Sequence, residues 1–596
     1  MQRVGYIMIG SRKHKGSLRL DWINKDLSLY YEIDEKEGKG VRPVWVPKND
    51  IRVAEPRILR FVKDYGDKTS ENMLIKGDNL LVLRSLVETF KGKPEKDKVK
   101  CIYIDPPYNT GNAFDKYDDN LQYSEWLTMM RDRLGLLRKL LRKDGVIFVQ
   151  IDDEEMAYLK VLMDEVFGRA NFLNCITVKT KVSSGASGGG EDKKIKKNTE
   201  YLLLYSFSKK FYKYTPIYRG IPVEEYIKEH KDDKVGFYYT RVLLSPGVKK
   251  LVKELDDIKI YEHSKYKFSS INSLVKKGNV SLRDAYKKYF DKVFMVTNAQ
   301  TSLLEKINNV IPQKSKLVSY DYIPKTGKNR GKEITKYVWN KTLVVWFADS
   351  AKLEKEGAKK LEEIGTLWDD ISWGRLDLEG KVSFKSGKKP ERLVARILDL
   401  VTKTDDVVFD SFAGSGTTGA VAHKMGRRWM MVEMGRQAED LILPRIQRVS
   451  QGKDQSGISK EVDWKGGGGF KYYQLGESVI HEQDMNWILK AEEMAEAVFL
   501  HFQYRPVKAE WLEKENMYLG KHQSARYHFS LSFASREVKT ITADLYEKIV
   551  AGLDKEKFKH LTIFTNVAVS VPPEALDDRV LVKKIPAAIL REYNLL

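Results

Sequence analysis

Cysteine is scarce in this sequence of 596 residues, which contains only Cys101 and Cys175. Two cysteines exclude a disulfide framework and a cysteine-based zinc site. No apolar run approaches the roughly 18 residues of a membrane-spanning helix, and the mean hydropathy is −0.46. The first residues lack the apolar stretch and the small-residue cleavage site of a secretory signal. We therefore expect an intracellular, cytoplasmic protein with no membrane partner.

Acidic residues are fewer than basic residues. Lys and Arg number 104 against 83 Asp and Glu, which gives a formal net charge of +21. Residues 181–340 contain 33 of the cations, 17 of the acids and 22 aromatic residues. Cations neutralise phosphates and aromatic rings stack on bases, so this composition suits a nucleic-acid partner. A solvated Lys-rich surface over an ordinary aromatic core explains the same composition, and both interpretations stay open.

Apolar segments that end in an acid are typical of buried strands, and three are present, at residues 73–78, 99–105 and 407–410. Leucine and methionine at three- and four-residue spacings between 126 and 141 predict an amphipathic helix that ends at Asp144-Gly145, before the strand VIFVQI. Strands that alternate with such helices predict an α/β fold. Its parallel sheet is covered on both faces and binds ligands at the carboxyl ends of the strands.

A glycine-rich turn follows the third of these strands. Gly414, Gly416 and Gly419 have the spacing GxGxxG, and a helix, a strand and Glu433 come next. Such glycines permit a tight turn and the close approach of a ligand, and the acid can accept hydrogen bonds from both ribose hydroxyls. The pattern indicates an adenosine-containing ligand. A dinucleotide is the first interpretation, and a tight turn without a ligand is the alternative.

The tetrad Asp105-Pro106-Pro107-Tyr108 directly follows the strand CIYI. The prolines end the strand abruptly, so that an acid, a carbonyl and an aromatic ring project from the edge of the sheet. Asp105 and the Pro106 carbonyl can accept the two N–H bonds of an adenine amino group, and Tyr108 can stack on a base that has left the duplex. The structural alternative is a proline-rich turn capped by an acid.

Together, DPPYNTGNAF and the downstream FAGSGTTG resemble the DNA amino-methyltransferases that use S-adenosylmethionine, in the motif order of their beta class. The chain more closely resembles the modification (Mod) subunits of type III restriction-modification systems. The text that carries this resemblance is GDNLLVLRSL, IYIDPPYNTGNAFDKYDDN, LLRKDGVIFVQIDDEE, NTEYLLLYS, GTLWDDI and residues 384–433.

The resemblance implies a Rossmann-like methyltransferase fold. Its sheet is mixed and mostly parallel, in the circularly permuted order of the beta class, with an inserted target-recognition domain and smaller terminal regions. The implied segments are an N-terminal region (1–65), a first catalytic part (66–206), the target-recognition domain (207–340), a second catalytic part (341–455) and a C-terminal region (470–596). Two glycine-rich stretches, at 183–190 and 466–469, are predicted to be flexible connections.

The resemblance also assigns roles to individual residues. Asp105, Pro106, Pro107 and Tyr108 become the catalytic site for the target amine. The residues assigned to the cofactor, S-adenosylmethionine, are Asp78, Phe384, Lys389, Pro390, Asp410, Phe412, Gly414, Gly416, Thr417 and Glu433. No metal is expected, because a sulfonium methyl is already an activated electrophile and needs alignment and desolvation more than a strong base.

The expected function is the methylation of adenine N6 at specific sites of duplex DNA by base flipping, in the cytoplasm of a bacterium or archaeon and associated with the nucleoid. The implied partners are double-stranded DNA, a second copy of the chain and a separate Res subunit with ATPase and nuclease activity. The chain itself has no GxxxxGK[ST] phosphate loop.

Other functions stay open at this point. The chain could be a solitary or other-type beta-class enzyme that acts on adenine N6 or cytosine N4. It could instead methylate RNA or a protein amide, or be a nucleic-acid-binding protein with a degenerate fold. A nicotinamide-dependent oxidoreductase is disfavoured by the DPPY tetrad.

Overall fold

The computed structural model divides into two compact units, one of residues 1–215 and 366–596 and one of residues 216–365. The structure describes residues 18–34, 40–108, 123–180, 195, 197–230, 237–255, 258–298, 302–311, 316–325, 329–384 and 387–481, and shorter stretches from there to 585. The glycine-rich stretch at 183–190 lies outside the described residues.

The elements are numbered in chain order. Up to residue 215 they are β1 (Leu27–Asp34), β2 (Gly40–Pro47), α1 (Ile51–Ala54), β3 (Leu59–Gly66), β4 (Met73–Lys76), α2 (Asn79–Phe90), β5 (Val99–Ile104), α3 (Tyr123–Leu140), β6 (Leu141–Ile151), α4 (Met156–Met163), β7 (Phe172–Lys179) and β8 (Thr199–Ser206). In residues 216–365 they are β9 (Tyr218–Pro222), α5 (Val223–Glu229), β10 (Arg241–Ser245), β11 (Val248–Leu255), β12 (Ile258–Ser264), β13 (Lys267–Ser270), α6 (Ile271–Gly278), α7 (Leu282–Lys288), β14 (Val293–Thr297), α8 (Ser302–Val310), β15 (Leu317–Tyr322), β16 (Ile334–Trp339), β17 (Thr342–Trp346), β18 (Ala351–Glu354) and β19 (Gly357–Glu363).

After residue 365 the elements are β20 (Leu367–Trp368), α9 (Glu391–Val401), β21 (Val407–Asp410), α10 (Thr417–Lys424), β22 (Arg428–Glu433), α11 (Leu443–Ser450), β23 (Gly469–Leu475), β24 (Ile480–His481), β25 (Asp484–Met485), β26 (Met517–His522), β27 (Ala525–Phe529), β28 (His560–Thr565) and β29 (Val580–Lys584). The last four strands form a sheet of their own.

A ten-stranded sheet organises the larger unit, in the order β20-β7-β8-β6-β5-β21-β22-β4-β23-β3. The six central strands, from β6 to β23, are parallel to one another. Antiparallel pairs occur only towards the two edges, where β8 pairs with β6 and β7, and β3 pairs with β23. The predicted α/β fold with a mixed, mostly parallel sheet is confirmed. The sheet also includes β3 and β23, which lie at the margins of the predicted terminal regions.

Strands from distant parts of the chain meet at the centre of this sheet. Ile102 of β5 is opposite Phe409 of β21, and both side chains are buried. Because side chains alternate between the two faces of a strand, β5 needs apolar cover on both sides. Residues of α2 and α3 share one hydrophobic core with β5. Helix α9 contacts β5, and helix α10 contacts β21 and β22. Because β5 and β21 are parallel neighbours, their carboxyl ends lie side by side.

Two connections differ from the sequence-based expectation. Helix α3 ends at Leu140 rather than at Asp144-Gly145, because Leu141 already pairs with Val99 of β5 across an irregularity in the register. Lys100 fixes this connection through an ion pair to Asp144 at 3.0 Å.

The glycine run at 466–469 was predicted to be flexible, but the structure shows a closely packed turn. The Gly467 N–H donates to the Ser450 carbonyl at 2.7 Å, and the Gly468 carbonyl accepts from the Asp67 N–H at 3.1 Å. A Cβ on Gly466 would lie only 2.7 Å from the backbone nitrogen of Gly452. Close backbone approach therefore explains the glycines at 466 and 469.

The smaller unit is built from antiparallel strands. An eight-stranded sheet has the order β11-β12-β15-β16-β17-β14-β10-β13, and a three-stranded sheet has the order β18-β19-β9. Its cores contain many of its aromatic rings, among them the buried Tyr286, Phe294 and Phe347, whereas Tyr218 and Tyr238 are exposed. The unit contains 30 Lys or Arg and 19 Asp or Glu. The aromatic content of this unit thus partly reflects core packing. Core packing does not account for its excess of positive charge.

Among the helices of the described residues, none has the combination of length and hydropathy that a membrane span requires.

Candidate active site

The DPPY tetrad lies at the carboxyl end of β5, where Asp105 contacts two groups. Its Oδ2 is 2.7 Å from Lys389 Nζ, and its Oδ1 accepts a hydrogen bond from the Tyr108 hydroxyl at 2.6 Å. Trp126, which is buried in the first turns of α3, donates its indole N–H to the Pro107 carbonyl at 2.7 Å. The turn is therefore held from both sides, by the ion pair and by the helix that follows it.

Glu200, near the start of β8, supplies a second carboxylate that is not among the predicted site residues. Its Oε2 accepts from the Tyr108 hydroxyl at 3.0 Å and from Gln150 Nε2 at 2.5 Å, and it lies 3.7 Å from Lys389 Nζ. The Tyr103 hydroxyl donates to Gln150 Oε1 at 2.5 Å. The signal for Glu200 in the sequence is its position directly before the apolar strand segment YLLLY, since a charge at a buried strand requires a partner.

Burial and charge pairing set the protonation of this cluster. Burial raises the pKa of Asp105, and the Lys389 ammonium partly opposes that effect. Burial acts to lower the pKa of Lys389, whose side chain is 7% exposed, but the carboxylates of Asp105 and Glu200 outweigh it and raise that pKa. Burial, with Asp105 next in importance, raises the pKa of Tyr108 well above its usual range. At neutral pH the lysine is thus an ammonium and the tyrosine a neutral hydrogen-bond donor.

The glycine turn follows β21, directly beside β5. Gly414 has a φ of +51° and donates its N–H to Glu433 Oε2 at 2.8 Å. Gly416 has a φ of +75°, and a Cβ there would lie 2.8 Å from Ile442 Cγ2. Both positions require the left-handed region that glycine adopts without strain. The turn brings backbone N–H groups and the buried Glu433 carboxylate to one place.

Asp410 shapes this turn from inside the fold. Its Oδ1 accepts from the Phe412 N–H at 2.9 Å, and its Oδ2 accepts from the Thr418 hydroxyl at 2.6 Å. Burial raises the pKa of Asp410 to about 7, and the charges of Asp105 and Glu433 add to the rise. The influence of Asp105 on this group reflects the proximity of the two strand ends.

Thr417 is held by a buried arginine. Its Oγ1 accepts from Arg445 Nη1 at 2.9 Å, and the same guanidinium contacts Glu391 Oε1 at 2.8 Å. Glu391 also pairs with Lys424 at 2.9 Å, and all three charged side chains of this cluster are fully buried. The Thr417 hydroxyl therefore accepts a hydrogen bond from the buried arginine that supports the turn.

Phe384 borders the glycine turn, and Asp78 lies beside the end of β22. Asp78 caps α2 by accepting from the Leu80 N–H at 2.7 Å, and its neighbour Gly77 donates to the Glu433 carbonyl at 3.1 Å. Phe384 Cζ lies 3.8 Å from the position that a Cβ on Gly414 would occupy.

Of Lys389 and Pro390, which the resemblance also assigns to the cofactor, Lys389 contacts Asp105 through its ammonium and Pro390 directly precedes α9. The structure thus brings the predicted residues of the tetrad and of the glycine turn to adjoining strand ends.

A family model described as a DNA methylase matches residues 99–443, more than half of the chain and both strand ends just described. The chain belongs to the DNA methylase family. The chain is 44% identical, over 419 residues, to a Haemophilus influenzae protein named as a probable type III restriction-modification enzyme HindVI Mod subunit. That match covers 70% of this chain and 55% of the relative.

The type III restriction-modification enzyme EcoPI Mod subunit of Escherichia phage P1 is 27% identical over 408 residues, which are 60% of this chain and 56% of that protein. The chain spans about half the length of the curated relatives it matches. A solved structure of the PvuII cytosine-N4-specific DNA methyltransferase aligns with a TM-score of 0.31 at 13% identity, over 68% of this chain and 94% of that one.

Within the part of the chain that the structure describes, no group of three or more His, Cys, Asp or Glu side chains is placed to hold a metal ion.

Proposed function

We propose that this chain is a site-specific DNA methyltransferase that transfers a methyl group from S-adenosylmethionine to adenine N6 in duplex DNA, as the Mod subunit of a type III restriction-modification system. One observation carries the proposal. The Asp105 carboxylate and the glycine turn at Gly414 lie at the ends of two strands that are neighbours in the sheet. An acceptor for an amine and a cradle for an adenosine-containing ligand therefore share one edge.

The residues at the glycine turn suit S-adenosylmethionine. Gly414 leaves open the space that a side chain would fill, Gly416 lets the turn pack closely against Ile442, and the Glu433 carboxylate can accept the two ribose hydroxyls. Asp78 borders the same strand end and Phe384 faces the turn. When bound, S-adenosylmethionine supplies a methyl group on a positively charged sulfur, which is already an activated electrophile. The chain must hold this group, exclude water and align the amine.

The tetrad is suited to an adenine amine. Its nitrogen is a poor nucleophile because the lone pair is delocalised into the ring. Asp105 and the Pro106 carbonyl accept its two N–H bonds and favour a pyramidal, more reactive nitrogen, while Tyr108 stacks on the flipped base. A carbon–sulfur bond breaks as a carbon–nitrogen bond forms, and the nitrogen then loses one proton. The raised pKa of Asp105 makes this carboxylate a competent first acceptor for that proton.

The positive charge of the smaller unit supports DNA recognition by residues 216–365, which contain most of the predicted target-recognition segment 207–340. Cations on this unit would position the duplex through its phosphates, and base-edge contacts would select the sequence. We expect that replacing residues 216–365 by the corresponding unit of a relative changes the methylated sequence and preserves the methyl transfer. An unchanged site would place sequence recognition elsewhere in the chain.

The reaction is tested by incubating the protein with labelled S-adenosylmethionine and mixed duplex DNA, followed by nucleoside analysis. Labelled N6-methyladenine is expected. Labelled N4-methylcytosine would change the target base, and unlabelled DNA with normal cofactor binding would overturn the proposal. The Asp105→Ala variant is the control, because it removes an acceptor of the amine without touching phosphates. It should lose transfer and retain DNA affinity.

The partners follow from the same proposal. We infer a homodimer and a separate Res subunit with ATPase and nuclease activity, as the resemblance to type III Mod subunits implies; the Mod names of the relatives support that resemblance. The proposed location is the cytoplasm of the host, associated with the nucleoid. Sedimentation of the purified protein with and without a co-expressed Res subunit tests both assemblies. A protein that sediments as a monomer, alone and with that subunit, would contradict them.

A further inference from the structure

The hydroxyl of Tyr108 lies between two carboxylates. It is 2.6 Å from Asp105 Oδ1 and 3.0 Å from Glu200 Oε2, and both are within hydrogen-bond distance. A phenol has a single proton to donate, so a well-aligned hydrogen bond to one carboxylate weakens the bond to the other. The structure therefore contains a donor with a ready alternative acceptor.

Asp105 is already engaged on both oxygens. Tyr108 donates to Oδ1, and the Lys389 ammonium contacts Oδ2. Under the proposed function the target amine must also donate to this carboxylate. The amine gains most if one of these contacts is released, because donors on one oxygen compete for its lone pairs. The ammonium is the poorer candidate for release, since withdrawing it would leave a buried carboxylate without its counter-ion.

We propose that Glu200 is a positioning residue that takes over the Tyr108 hydroxyl when the target amine binds, and so leaves Asp105 Oδ1 to the amine. The inference rests on the proposed function of the same site. The exchange needs little movement, because the two acceptor distances from the hydroxyl differ by only a few tenths of an ångström. No covalent bond changes in this step, and no proton leaves the tyrosine, because the raised pKa of Tyr108 keeps it a donor.

Glu200 is held in place for this exchange by groups that do not touch Asp105. Gln150 donates to its Oε2 at 2.5 Å, and Gln150 is in turn oriented by the Tyr103 hydroxyl at 2.5 Å. Gln150 lies on β6 and Tyr103 on β5, so two central strands fix the acceptor. The ammonium of Lys389, 3.7 Å from Glu200, offsets the negative charge of the two carboxylates.

A double-mutant cycle between Glu200→Gln and Tyr108→Phe tests the exchange. Gln is a weaker, neutral acceptor of the same shape, and Phe keeps the ring but has no hydroxyl to transfer. The readout is the single-turnover rate of methyl transfer to DNA, with cofactor and DNA affinities measured separately. We expect Glu200→Gln to lower the rate about tenfold in the otherwise unchanged protein and about twofold or less beside Tyr108→Phe, with both affinities unchanged.

The coupling between the two substitutions distinguishes a Glu200 that acts through the Tyr108 hydroxyl from a Glu200 that only stabilises the site. Loss of the charge that balances Lys389 affects both backgrounds alike, so equal losses in the two backgrounds would overturn the role of Glu200. Asp152→Asn is the matched control, because it removes another buried carboxylate, paired with Lys197 at 2.5 Å. Its effect should not depend on the Tyr108 hydroxyl.

A second variant keeps the test decisive if Glu200→Gln does not fold. Glu200→Asp retains the charge but withdraws the carboxylate from the hydroxyl, and it should show the same dependence on Tyr108. If neither variant depends on the hydroxyl, the proposed exchange is wrong. If the unmodified protein forms no methyladenine, the proposed function itself fails, whichever ratios the variants give.

Discussion

Lys389 Nζ lies 2.7 Å from Asp105 Oδ2 inside the sheet edge, although the two residues belong to distant segments of the chain. The ammonium also faces Glu200, so one cation serves two carboxylates. This pairing opposes the effect of burial on Asp105 and keeps its carboxylate available as an acceptor.

Replacing Lys389 by Met should therefore make the reaction depend on pH. Without the cation the pKa of Asp105 rises further, so more of the carboxyl is protonated at neutral pH and cannot accept the amine. We expect a single-turnover rate lowered by about 100-fold at pH 7, recovering in part as the pH is raised and the carboxyl ionises. Lys389→Arg, which keeps the charge, is the control. A loss that is the same at every pH would contradict this role of the ion pair.

The carboxyl of Asp410 should make the stability of the fold depend on pH. Its pKa is raised by burial from 3.8 to about 7 in the folded protein. Between these values the folded state binds a proton that the unfolded state has lost, so this group destabilises the fold progressively as the pH rises from about 4 to about 7.

The Asp410→Asn variant lacks this titration. The free energy of unfolding of the unmodified protein should fall relative to the variant by up to about 4 kcal/mol over that range and stay constant above it. Urea denaturation at several pH values measures the difference. Curves that remain parallel from pH 4 to pH 8 would show that Asp410 does not titrate with a raised pKa.

Gly416→Ala tests the close approach at the glycine turn. The substitution forces a side chain into the left-handed region and against Ile442, so the strain and the overlap together should cost about 2–5 kcal/mol of unfolding free energy. Gly426→Ala is the matched control, since Gly426 has a similar φ of +69° but its nearest neighbour would be Thr404 Cγ2 at 3.5 Å. That control should lose only about 1–2 kcal/mol. Equal losses would mean that the overlap with Ile442 is relieved without cost.

The fold is predicted to be sensitive to the substitution of Glu391. Its carboxylate contacts Lys424 and Arg445, and all three side chains are fully buried. Removing one partner of such a cluster leaves uncompensated buried charge, so Glu391→Gln should lower the unfolding free energy by about 3–5 kcal/mol.

The control for Glu391 is Glu461→Gln, which breaks the exposed pair with Arg392. It should change the unfolding free energy by less than about 1 kcal/mol. Both values come from urea denaturation of the full chain. Similar small effects would show that the cluster around the glycine turn tolerates the loss of its central acid.

The sequence alone determined the local features of both strand ends. In β5 an apolar strand runs into two prolines, which cannot continue the ladder, so the projection of Asp105 and Tyr108 is a local consequence of backbone chemistry. In the glycine turn, the positive φ of Gly414 and Gly416 follows from the absence of a Cβ. The alternation of apolar strands and helices also sufficed for the α/β class. None of these features depends on a distant residue.

Only the tertiary structure decided which residues meet. The fold places Lys389 Nζ 2.7 Å from Asp105 Oδ2, a contact that the spacing of the two residues does not predict. Glu200 reaches the tetrad because β8 returns antiparallel beside β6, an arrangement with no counterpart in local spacing. Strand order in a sheet is settled by the burial of both faces and the contacts of the connecting helices, which sum over the whole chain. The spacing of residues predicts a tetrad and a turn, whereas the charges that act on the tetrad come from Lys389 and Glu200, which only the fold brings close to it.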